Sequence, residues 1–555
     1  MTAPRSGGSR RLRAAFVAAM LLALAVQAVF SALGNSSTFD EPEHIASGMA
    51  ALRTRDFRMS VAHPPLMDML CAAAAAAGGA PPPPVDSEFW RTRNQLAFAN
   101  IYLFGGPHAA EAPRLVFLAR LPVIAVSMGL ALLVFFWARR LYGWPGGALA
   151  LGLYCLEPNL LAHSSLATND LGVTAASALF VFAYWRHLES QGGGWLALSG
   201  VALGLALLAK FSGILLLAVL PLLALTHWIA TRRAPEGRMP ARRLVMGVLA
   251  VLVLAAVVVW AGYGFGIQPV LRLPGAPRVA AGQYLQGLLN QMSHQLMGQL
   301  AYLCGRVSLK GWWYYFPIAF ALKTSLPLLL LLAIAFALRR LNRDEAFLLV
   351  PAAFVFLAAM AQNLNYGVRH ILPIYPLLII FAARVLARPW PAARPRVGHG
   401  VVAALAVWVL VEALLYAPRY IPYFNELVGG PAGGSRCLID SNLDWGQDLK
   451  RLAAWERRHP EASPLGLSYF GTARPPTYGV RAQPLPGFSQ NWRDDPAPVP
   501  RQGWIAISVN CLKYDLHQMP PGEASWSWLE SRRPAARAGD SIWIYHLAPG
   551  EGPGR

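Results

Sequence analysis

Charged residues are scarce in this chain: Asp, Glu, Lys and Arg make up 14% of 555 residues, whereas hydrophobic residues make up 55%. Soluble domains carry about a quarter charged residues, so the composition excludes an ordinary soluble protein and indicates a membrane protein. Acidic residues are scarcer than basic residues, and the net charge is +20. Most Arg residues fall in short loops between apolar runs, so the charge indicates membrane orientation and argues against a nucleic-acid partner.

Cysteine is also scarce, and the five residues show neither a CxxC pair nor a spacing with His that would predict a zinc or redox motif. P-loop, GxSxG and HExxH motifs are absent, and nothing indicates a nucleotide site. Cys437 and Cys511 lie in a polar C-terminal region. A disulfide between them and two buried reduced thiols are the alternatives for this pair.

Long apolar runs are abundant, and about eleven reach the length of a membrane span. They lie near 13–34, 114–137, 145–162, 171–186, 195–209, 211–230, 244–263, 315–338, 345–361, 370–387 and 398–417. The basic N-terminus and first run resemble a signal peptide, but the many later spans favour a retained first helix.

The distribution of Arg predicts the orientation of these spans. With the N-terminus inside, the inner loops carry about nineteen Arg, whereas the short outer loops at 163–170 and 362–369 carry one, Arg369. This bias predicts an odd number of spans in a cell inner (plasma) membrane, with the C-terminus outside.

The chain divides near residue 417. Residues 1–417 are predicted to form a transmembrane domain, whose outer loops 35–113 and 264–314 can lay amphipathic helices along the bilayer surface. Residues 418–555 have a soluble composition and are predicted to form a small extracytoplasmic α/β domain. Strands are predicted at 437–440, 465–470, 504–509 and 542–546, and a helix at 447–458. The predicted fold class is therefore mainly α, a polytopic membrane helix bundle with this small α/β domain.

Three acids follow the first span directly, at Asp40, Glu41 and Glu43. Carboxylates at a membrane exit are costly unless something uses them. One interpretation is a general base at the membrane surface, with a second carboxylate that orients the acceptor or binds a cation. The alternative is helix capping, with Asp40 as the N-cap and Pro42 in the first turn. Capping accounts for one acid better than for three.

Two further outer-face residues carry similar alternatives. His63, which precedes Pro64-Pro65-Leu66, either places an imidazole beside those acids or is an ordinary loop residue. Asp170 starts a helix and is either an N-cap or a second site carboxylate. No cofactor is certain. A divalent cation stays open as an alternative, because the spacing of the candidate ligands is not diagnostic; these ligands are Glu41, Glu43, His44 and His63.

Cations stand at the same outer edge. Lys210 interrupts a long apolar stretch and either snorkels to the headgroups or pairs with a lipid phosphate. Arg369 and His370 follow Tyr366 in an outer loop where the topology rule explains no cation, so we expect them to bind phosphate. Arg120 lies a few residues inside the second span, where it needs an acidic or phosphate partner.

The run Asp440-Ser441-Asn442-Leu443-Asp444 starts like a calcium-binding loop. Trp445 and Arg451 stand where an EF-hand needs Gly and Glu, so this site is excluded. A strand–turn–helix junction capped by Asp444 is the better interpretation.

These motifs resemble the bacterial polyprenyl-phosphate-dependent glycosyltransferases of family 39, which are related to the protein O-mannosyltransferases and to lipid A aminoarabinose transferase. The resemblance runs through Thr38-Phe39-Asp40-Glu41-Pro42-Glu43-His44, His63-Pro64-Pro65-Leu66, Ala119-Arg120-Leu121-Pro122, Thr168-Asn169-Asp170, Ala209-Lys210-Phe211, Tyr366-Gly367-Val368-Arg369-His370 and Asp440-Ser441-Asn442-Leu443-Asp444-Trp445-Gly446. It implies the glycosyltransferase C fold and a polyprenyl-phosphate-sugar donor. It also implies Asp40, Glu41 and Asp170 as site acids, and Lys210 and Arg369 as phosphate-binding cations.

The sequence therefore predicts an integral membrane glycosyltransferase that moves a sugar from a polyprenyl-phosphate carrier to an acceptor hydroxyl, with inversion. Protein, lipid and glycan acceptors stay open, and membrane lipids are further partners. An oligosaccharide ligase acting on a lipid-linked donor is the nearest alternative. A transporter or lipid flippase is weaker, because the acids lie in outer loops and no repeat is seen. The predicted substrate-binding residues are His63, Arg120, Lys210, Tyr366, Arg369 and His370.

Overall fold

A computed structural model of the chain describes residues 6–232, 239–338, 341–387, 395–487, 499–518 and 526–551. Seven of the Arg residues assigned to the inner side lie outside these ranges: Arg5, Arg233, Arg238, Arg339, Arg340, Arg388 and Arg394.

The described part of the chain is mostly helical. Its α-helices are α1 (Ser6–Gly34), α2 (Glu41–Thr54), α3 (Pro65–Ala77), α4 (Glu88–Thr92), α5 (Gln95–Phe104), α6 (Ala112–Leu156), α7 (Pro158–Ser164), α8 (Asp170–Ser190), α9 (Gly193–Ala209), α10 (Leu215–Thr231), α11 (Ala241–Gly262), α12 (Gly282–Met297), α13 (Tyr315–Lys323), α14 (Leu326–Ala337), α15 (Arg343–Met360), α16 (Tyr375–Ala382), α17 (Pro395–Tyr416), α18 (Gly430–Gly434), α19 (Leu449–Arg458) and α20 (Val509–Gln518). Every apolar run predicted to span the membrane is helical.

Six helical stretches among the described residues are long and apolar enough to cross a membrane, or seven if one bent pair counts as a single span. The six are Arg10–Gly34, Ala109–Leu156, Phe211–Thr231, Ala241–Gly262, Val368–Leu386 and Val397–Tyr416. The other predicted spans are helices that are shorter or less apolar, such as the 17-residue α9. The chain is therefore a multi-pass membrane protein.

Breaks in the backbone divide several of the long apolar segments into two helices each. Within Ala112–Leu156, Gly143 has φ 71° and ψ −173°, so the helix is broken there, between the two spans that the sequence predicts. Lys210 is extended between α9 and α10, as the division of residues 195–230 predicts. The run 315–338, predicted as one span, is not one continuous helix, because α13 and α14 meet at 110°. This bend follows Lys323, whose buried amine donates to the backbone carbonyls of Ile421 and Asn442.

The two long outer loops are structured. The first contains α2, α3, α4 and α5, and α2 packs closely on α3. The second contains α12 and two short antiparallel hairpins, β1 (Ile267–Pro269) with β2 (Arg278–Ala280), and β3 (Ala301–Leu303) with β4 (Arg306–Ser308). Leu296 and Met297, at the end of α12, expose 79% and 72% of their surface, as an amphipathic helix at a bilayer surface requires.

The C-terminal region forms a five-stranded sheet in the order β6-β5-β7-β9-β8. Its strands are β5 (Leu465–Ser468), β6 (Gln483–Pro484), β7 (Gly503–Ser508), β8 (Ala536–Ala538) and β9 (Ile542–Leu547). Pairs β5–β6 and β5–β7 are parallel, whereas β7–β9 and β8–β9 are antiparallel. Helix α19 buries Leu449, Leu452 and Trp455. The predicted fold class is confirmed, and so are three of the four predicted strands and the helix.

One prediction for this region is wrong. Residues 437–440 do not form a strand, because Asp440 has φ 57° and begins a 3-10 turn at Asp440–Asn442. Of the two alternatives for Cys437 and Cys511, the structure has the reduced thiols, since all five cysteines are free. Cys437 lies beside Cys304, whose backbone N–H donates to the Cys437 carbonyl at 2.9 Å.

The contact between α2 and α3 gives a test of this packing. A Cβ at Gly48 would lie 1.9 Å from the carbonyl oxygen of Asp68, so Gly48→Ala forces the two helices apart. We expect it to lower the free energy of unfolding by about 1–3 kcal/mol, measured by thermal or denaturant unfolding in one detergent. Gly129→Ala in α6 is the control, because nothing lies within 4 Å of its Cβ position. Equal stability of the Gly48 variant and the wild type would contradict this packing.

Candidate active site

A cavity of about 730 Å³ lies between the first outer loop, the break at Lys210, the turn before α16 and the C-terminal region. Its volume is within the range of small-molecule sites. The charged and imidazole side chains that line it are Asp40, Glu43, His44, His63, Lys210, His294, Arg369, His370 and Asp440. Aromatic side chains form much of the remaining wall: Phe39, Tyr366, Trp445, Phe470 and Tyr514.

Asp40 stands at the N-terminus of α2, but its side chain makes no capping hydrogen bond. Its Oδ2 instead lies 2.6 Å from Nη1 of Arg369. The preceding residue is fixed by a backbone hydrogen bond of 2.9 Å from the Phe39 N–H to the Trp445 carbonyl. The capping interpretation therefore does not describe the Asp40 carboxylate, which is directed to the cavity.

Arg369 is held from several sides. Its guanidinium carbon lies 4.4 Å from the ring centre of Trp445, and its Nη1 is also 4.0 Å from Oδ2 of Asp170. Its Nε is buried and has no hydrogen-bond partner among the described residues. Since an arginine has five N–H donors, this side chain has donors left for a further anion.

Asp170 and Lys210 form the second ion pair. Nζ of Lys210 donates to Oδ1 of Asp170 at 2.5 Å, and the Asp170 side chain is only 2% exposed. Asp170 is the first residue of α8, whereas Lys210 lies at the break between α9 and α10. Because Arg369 approaches both Asp170 and Asp40, the two ion pairs form one connected cluster.

The predicted substrate-binding residues His63, Tyr366 and His370 also lie here. Burial and the positive charge of His44 and Lys210 hold the pKa of His63 well below its usual value, so it is a neutral imidazole at neutral pH. The ring of His370 stacks on Phe316, with 6.1 Å between the ring centres. The Tyr366 hydroxyl contacts His294 and Gln299, which joins the turn before Arg369 to the second outer loop.

Glu41 and Arg120 were predicted as a catalytic acid and a phosphate-binding cation, and the structure does not support either role. They pair with each other through two contacts of 2.6 and 2.7 Å, and both are almost fully buried away from the cavity. The backbone N–H groups of Thr38 and Ala167 also donate to the Glu41 carboxylate. This pair satisfies the need of a buried arginine for an acidic partner, and it anchors the loop that carries Asp40.

The structure shows the surroundings of two candidate residues, Glu43 and His44, and it adds Asp68 and Asp440, which sequence reasoning did not assign to the site. Burial and repulsion from Asp40 raise the pKa of Glu43 to about 7. His44 Nδ1 lies 2.8 Å from Oδ1 of Asp68, a residue that the sequence gave no reason to select. Burial raises the pKa of Asp440 to about 6. The acid motif at 440–444 was a visible signal for Asp440, but it was interpreted as a helix junction.

The described residues offer no ready set of ligands for the divalent cation that the sequence left open. In the described ranges, no group of three or more His, Cys, Asp or Glu side chains is placed to hold a metal ion. Of the candidate ligands, Glu41 is occupied by Arg120 and His44 by Asp68.

Residues 115–260 match the family model of the dolichyl-phosphate-mannose-protein mannosyltransferases. The resemblance predicted from the sequence is confirmed. At the level of its class, the chain is a membrane glycosyltransferase similar to this family. The match spans about a quarter of the chain, and no curated protein matches it.

Solved structures give similar matches at low identity. ArnT from Cupriavidus metallidurans bound to undecaprenyl phosphate is 14% identical, with a TM-score of 0.45 over 97% of this chain and 99% of that chain. The oligosaccharyltransferase of Archaeoglobus fulgidus tethered with an acceptor peptide is 14% identical, with a TM-score of 0.42 over 87% of this chain and 60% of that one. The Pmt1–Pmt2 complex of S. cerevisiae bound to the sugar donor is 16% identical, with a TM-score of 0.32 over 45% and 32% of the two chains.

The structural role of the buried pair Glu41–Arg120 can be tested without measuring catalysis. Glu41→Gln leaves a buried guanidinium without its counter-charge, so we expect the free energy of unfolding to fall by about 3–5 kcal/mol. Glu111→Gln, which breaks an exposed pair with Arg114, is the matched control and should cost about 0–1 kcal/mol. Denaturant unfolding in one detergent measures both. A Glu41 variant of unchanged stability would show that this pair does not anchor the loop.

Proposed function

We propose that this chain moves a sugar from a polyprenyl-phosphate carrier to an acceptor hydroxyl within this cavity. The observation that carries the proposal is the cluster of Asp40, Arg369, Asp170 and Lys210, which draws together four distant parts of the sequence at the edge of an apolar helix bundle. The family match is consistent with this chemistry. A lipid tail needs apolar surface and its phosphate needs cations; the apolar helix bundle and the pair Lys210 and Arg369 support the proposal on both counts.

The phosphate of the donor would bind at Arg369 and Lys210. Both side chains line the cavity, and both are already oriented by carboxylates. As the bond between sugar and phosphate breaks, negative charge increases on the departing phosphate. Cations that are fixed in place before the reaction stabilise that charge more strongly in the transition state than in the ground state, which lowers the barrier.

Asp40 would act as the general base. Its carboxylate faces the cavity, where it can take the proton of an acceptor hydroxyl that attacks the anomeric carbon. Arg369 orients the Asp40 carboxylate through their ion pair. A phosphate that shares the guanidinium would loosen this pair, so that the carboxylate is free to accept the proton. One base and one displacement give inversion at the anomeric carbon, by analogy with glycosidases.

We further propose that the cavity and residues 418–555 lie on the extracytoplasmic face of an inner membrane. The inner-side bias of Arg in the sequence supports this orientation. The contacts of Phe39 and Arg369 with Trp445 support a single compartment for the first outer loop and the C-terminal domain. The sugar and the acceptor are left open by this proposal.

The role of Asp40 has a direct test. Asp40→Asn keeps the shape of the side chain but removes its basicity, so transfer should fall by about 10²–10⁴-fold while binding of undecaprenyl phosphate is retained. The measurement is sugar release from a panel of polyprenyl-phosphate-sugars by purified protein, with lipid binding measured on the same samples.

Asp86→Asn is the matched control, since Asp86 is an exposed residue of the same outer loop and does not line the cavity. Its transfer rate should equal that of the wild type. Full activity in the Asp40 variant would remove Asp40 from the role of base. A wild-type protein that accepts only lipid-linked oligosaccharides would instead identify a ligase.

A further inference from the structure

We propose that Asp440 binds hydroxyl groups of the sugar in the cavity, so that the C-terminal domain completes the sugar site. This inference rests on the proposed function and names a specificity residue for it. Asp440 lines the cavity beside Asp40 and Arg369, although it is 400 residues further along the chain than Asp40.

The Asp440 carboxylate has hydrogen-bonding capacity to spare. One of its oxygens accepts the backbone N–H of Ser441 at 2.5 Å, and no Lys, Arg or His in the described residues forms an ion pair with it. An ionised carboxylate only accepts hydrogen bonds, so it matches sugar hydroxyls and repels a phosphate. Asp440 is therefore suited to the sugar part of a donor, whereas Arg369 is suited to the phosphate part.

The backbone around Asp440 is locked in a sparsely populated conformation. Its φ of 57° lies in the left-handed region, which most residues with a side chain avoid. The N–H of Asp440 donates to the side-chain oxygen of Asn510 at 2.8 Å, and Asn510 in turn donates to the carbonyl of Asp444 at 2.9 Å. Asn510 lies in the first turn of α20, two residues after the end of β7, so the junction between this strand and this helix fixes the direction of the Asp440 side chain. Strained backbone that its surroundings hold in place is typical of functional sites.

The same turn also positions Arg369. The Asn442 side chain accepts the Val368 N–H at 3.0 Å, and the Ser441 hydroxyl donates to the Tyr366 carbonyl at 2.9 Å. A Cβ at Gly367 would lie only 2.4 Å from the Ser441 hydroxyl oxygen, so the two segments are in close contact. The cation and Asp440 are therefore placed relative to each other by one set of hydrogen bonds.

The test compares two ligands that differ only in the sugar. Undecaprenyl phosphate and a panel of its glycosyl esters, including the mannosyl ester, are titrated against the full-length protein in one detergent. We expect Asp440→Asn to weaken binding of the preferred glycosyl ester by about tenfold or more, as loss of a charged hydrogen bond does, and to change binding of undecaprenyl phosphate by less than about twofold. Asp440→Gly should behave in the same way, because glycine adopts the left-handed conformation freely and keeps the turn.

Two controls separate a sugar contact from a structural role. Asp540→Asn alters a partly buried carboxylate of the same domain, which pairs with Arg419 and does not line the cavity, and should leave both affinities unchanged. Arg369→Gln should weaken both lipids, since it removes a phosphate ligand.

Equal weakening of both lipids by the Asp440 variants would overturn the inference, because Asp440 would then act only through Arg369. Unchanged binding of both lipids, or a wild-type protein that prefers none of the glycosyl esters, would overturn it as well. These outcomes leave the proposed transfer intact if sugar release still depends on Asp40. A wild-type protein that binds neither kind of lipid would overturn the proposed function itself, and this inference with it.

Discussion

The cluster of two carboxylates and two cations that joins the first outer loop to the helix bundle is the constraint on which the site depends. Charges next to lipid are stable only when they are paired, and here Asp40 pairs with Arg369 while Asp170 pairs with Lys210. Because Arg369 approaches both acids, no member can move alone without leaving another charge uncompensated. The first outer loop, the start of α8, the break after α9 and the turn before α16 are held in register by these contacts.

A second layer of polar contacts joins this cluster to the C-terminal domain. The backbone of Phe39 and the guanidinium of Arg369 both contact Trp445, and Asn442 holds the turn before Arg369. Behind them, the buried amine of Lys323 donates to the carbonyl of Asn442 at the bend between α13 and α14. The C-terminal domain thus contributes part of the wall of the cavity, through Asp440, Trp445, Phe470 and Tyr514.

Sequence reasoning located most of the helices and much of the site, and its errors have physical causes. Apolar length predicts the order of the spans and the Arg distribution predicts their sidedness, and this predicted sidedness alone brings Asp40, Lys210 and Arg369 to one edge. The sequence does not distinguish the role of Asp40 from that of Glu41. Adjacent residues at the start of a helix point in different directions, and only the fold shows which of the two contacts Arg120. Asp440 follows the apolar Cys437-Leu438-Ile439, so a strand was expected where hydrogen bonds to a distant Asn510 impose a left-handed turn. The bend after Lys323 likewise depends on backbone carbonyls more than 90 residues away.

The central claim is that a lipid phosphate shares Arg369 with Asp40 and so prepares the base. An experimental structure of the full-length protein in a lipid nanodisc, with undecaprenyl phosphate bound, tests it most directly. The account predicts phosphate oxygens within hydrogen-bond distance of Arg369 and Lys210, with the distance between Asp40 and Arg369 longer than the present 2.6 Å. A phosphate bound elsewhere on the protein, with both ion pairs unchanged, would contradict it.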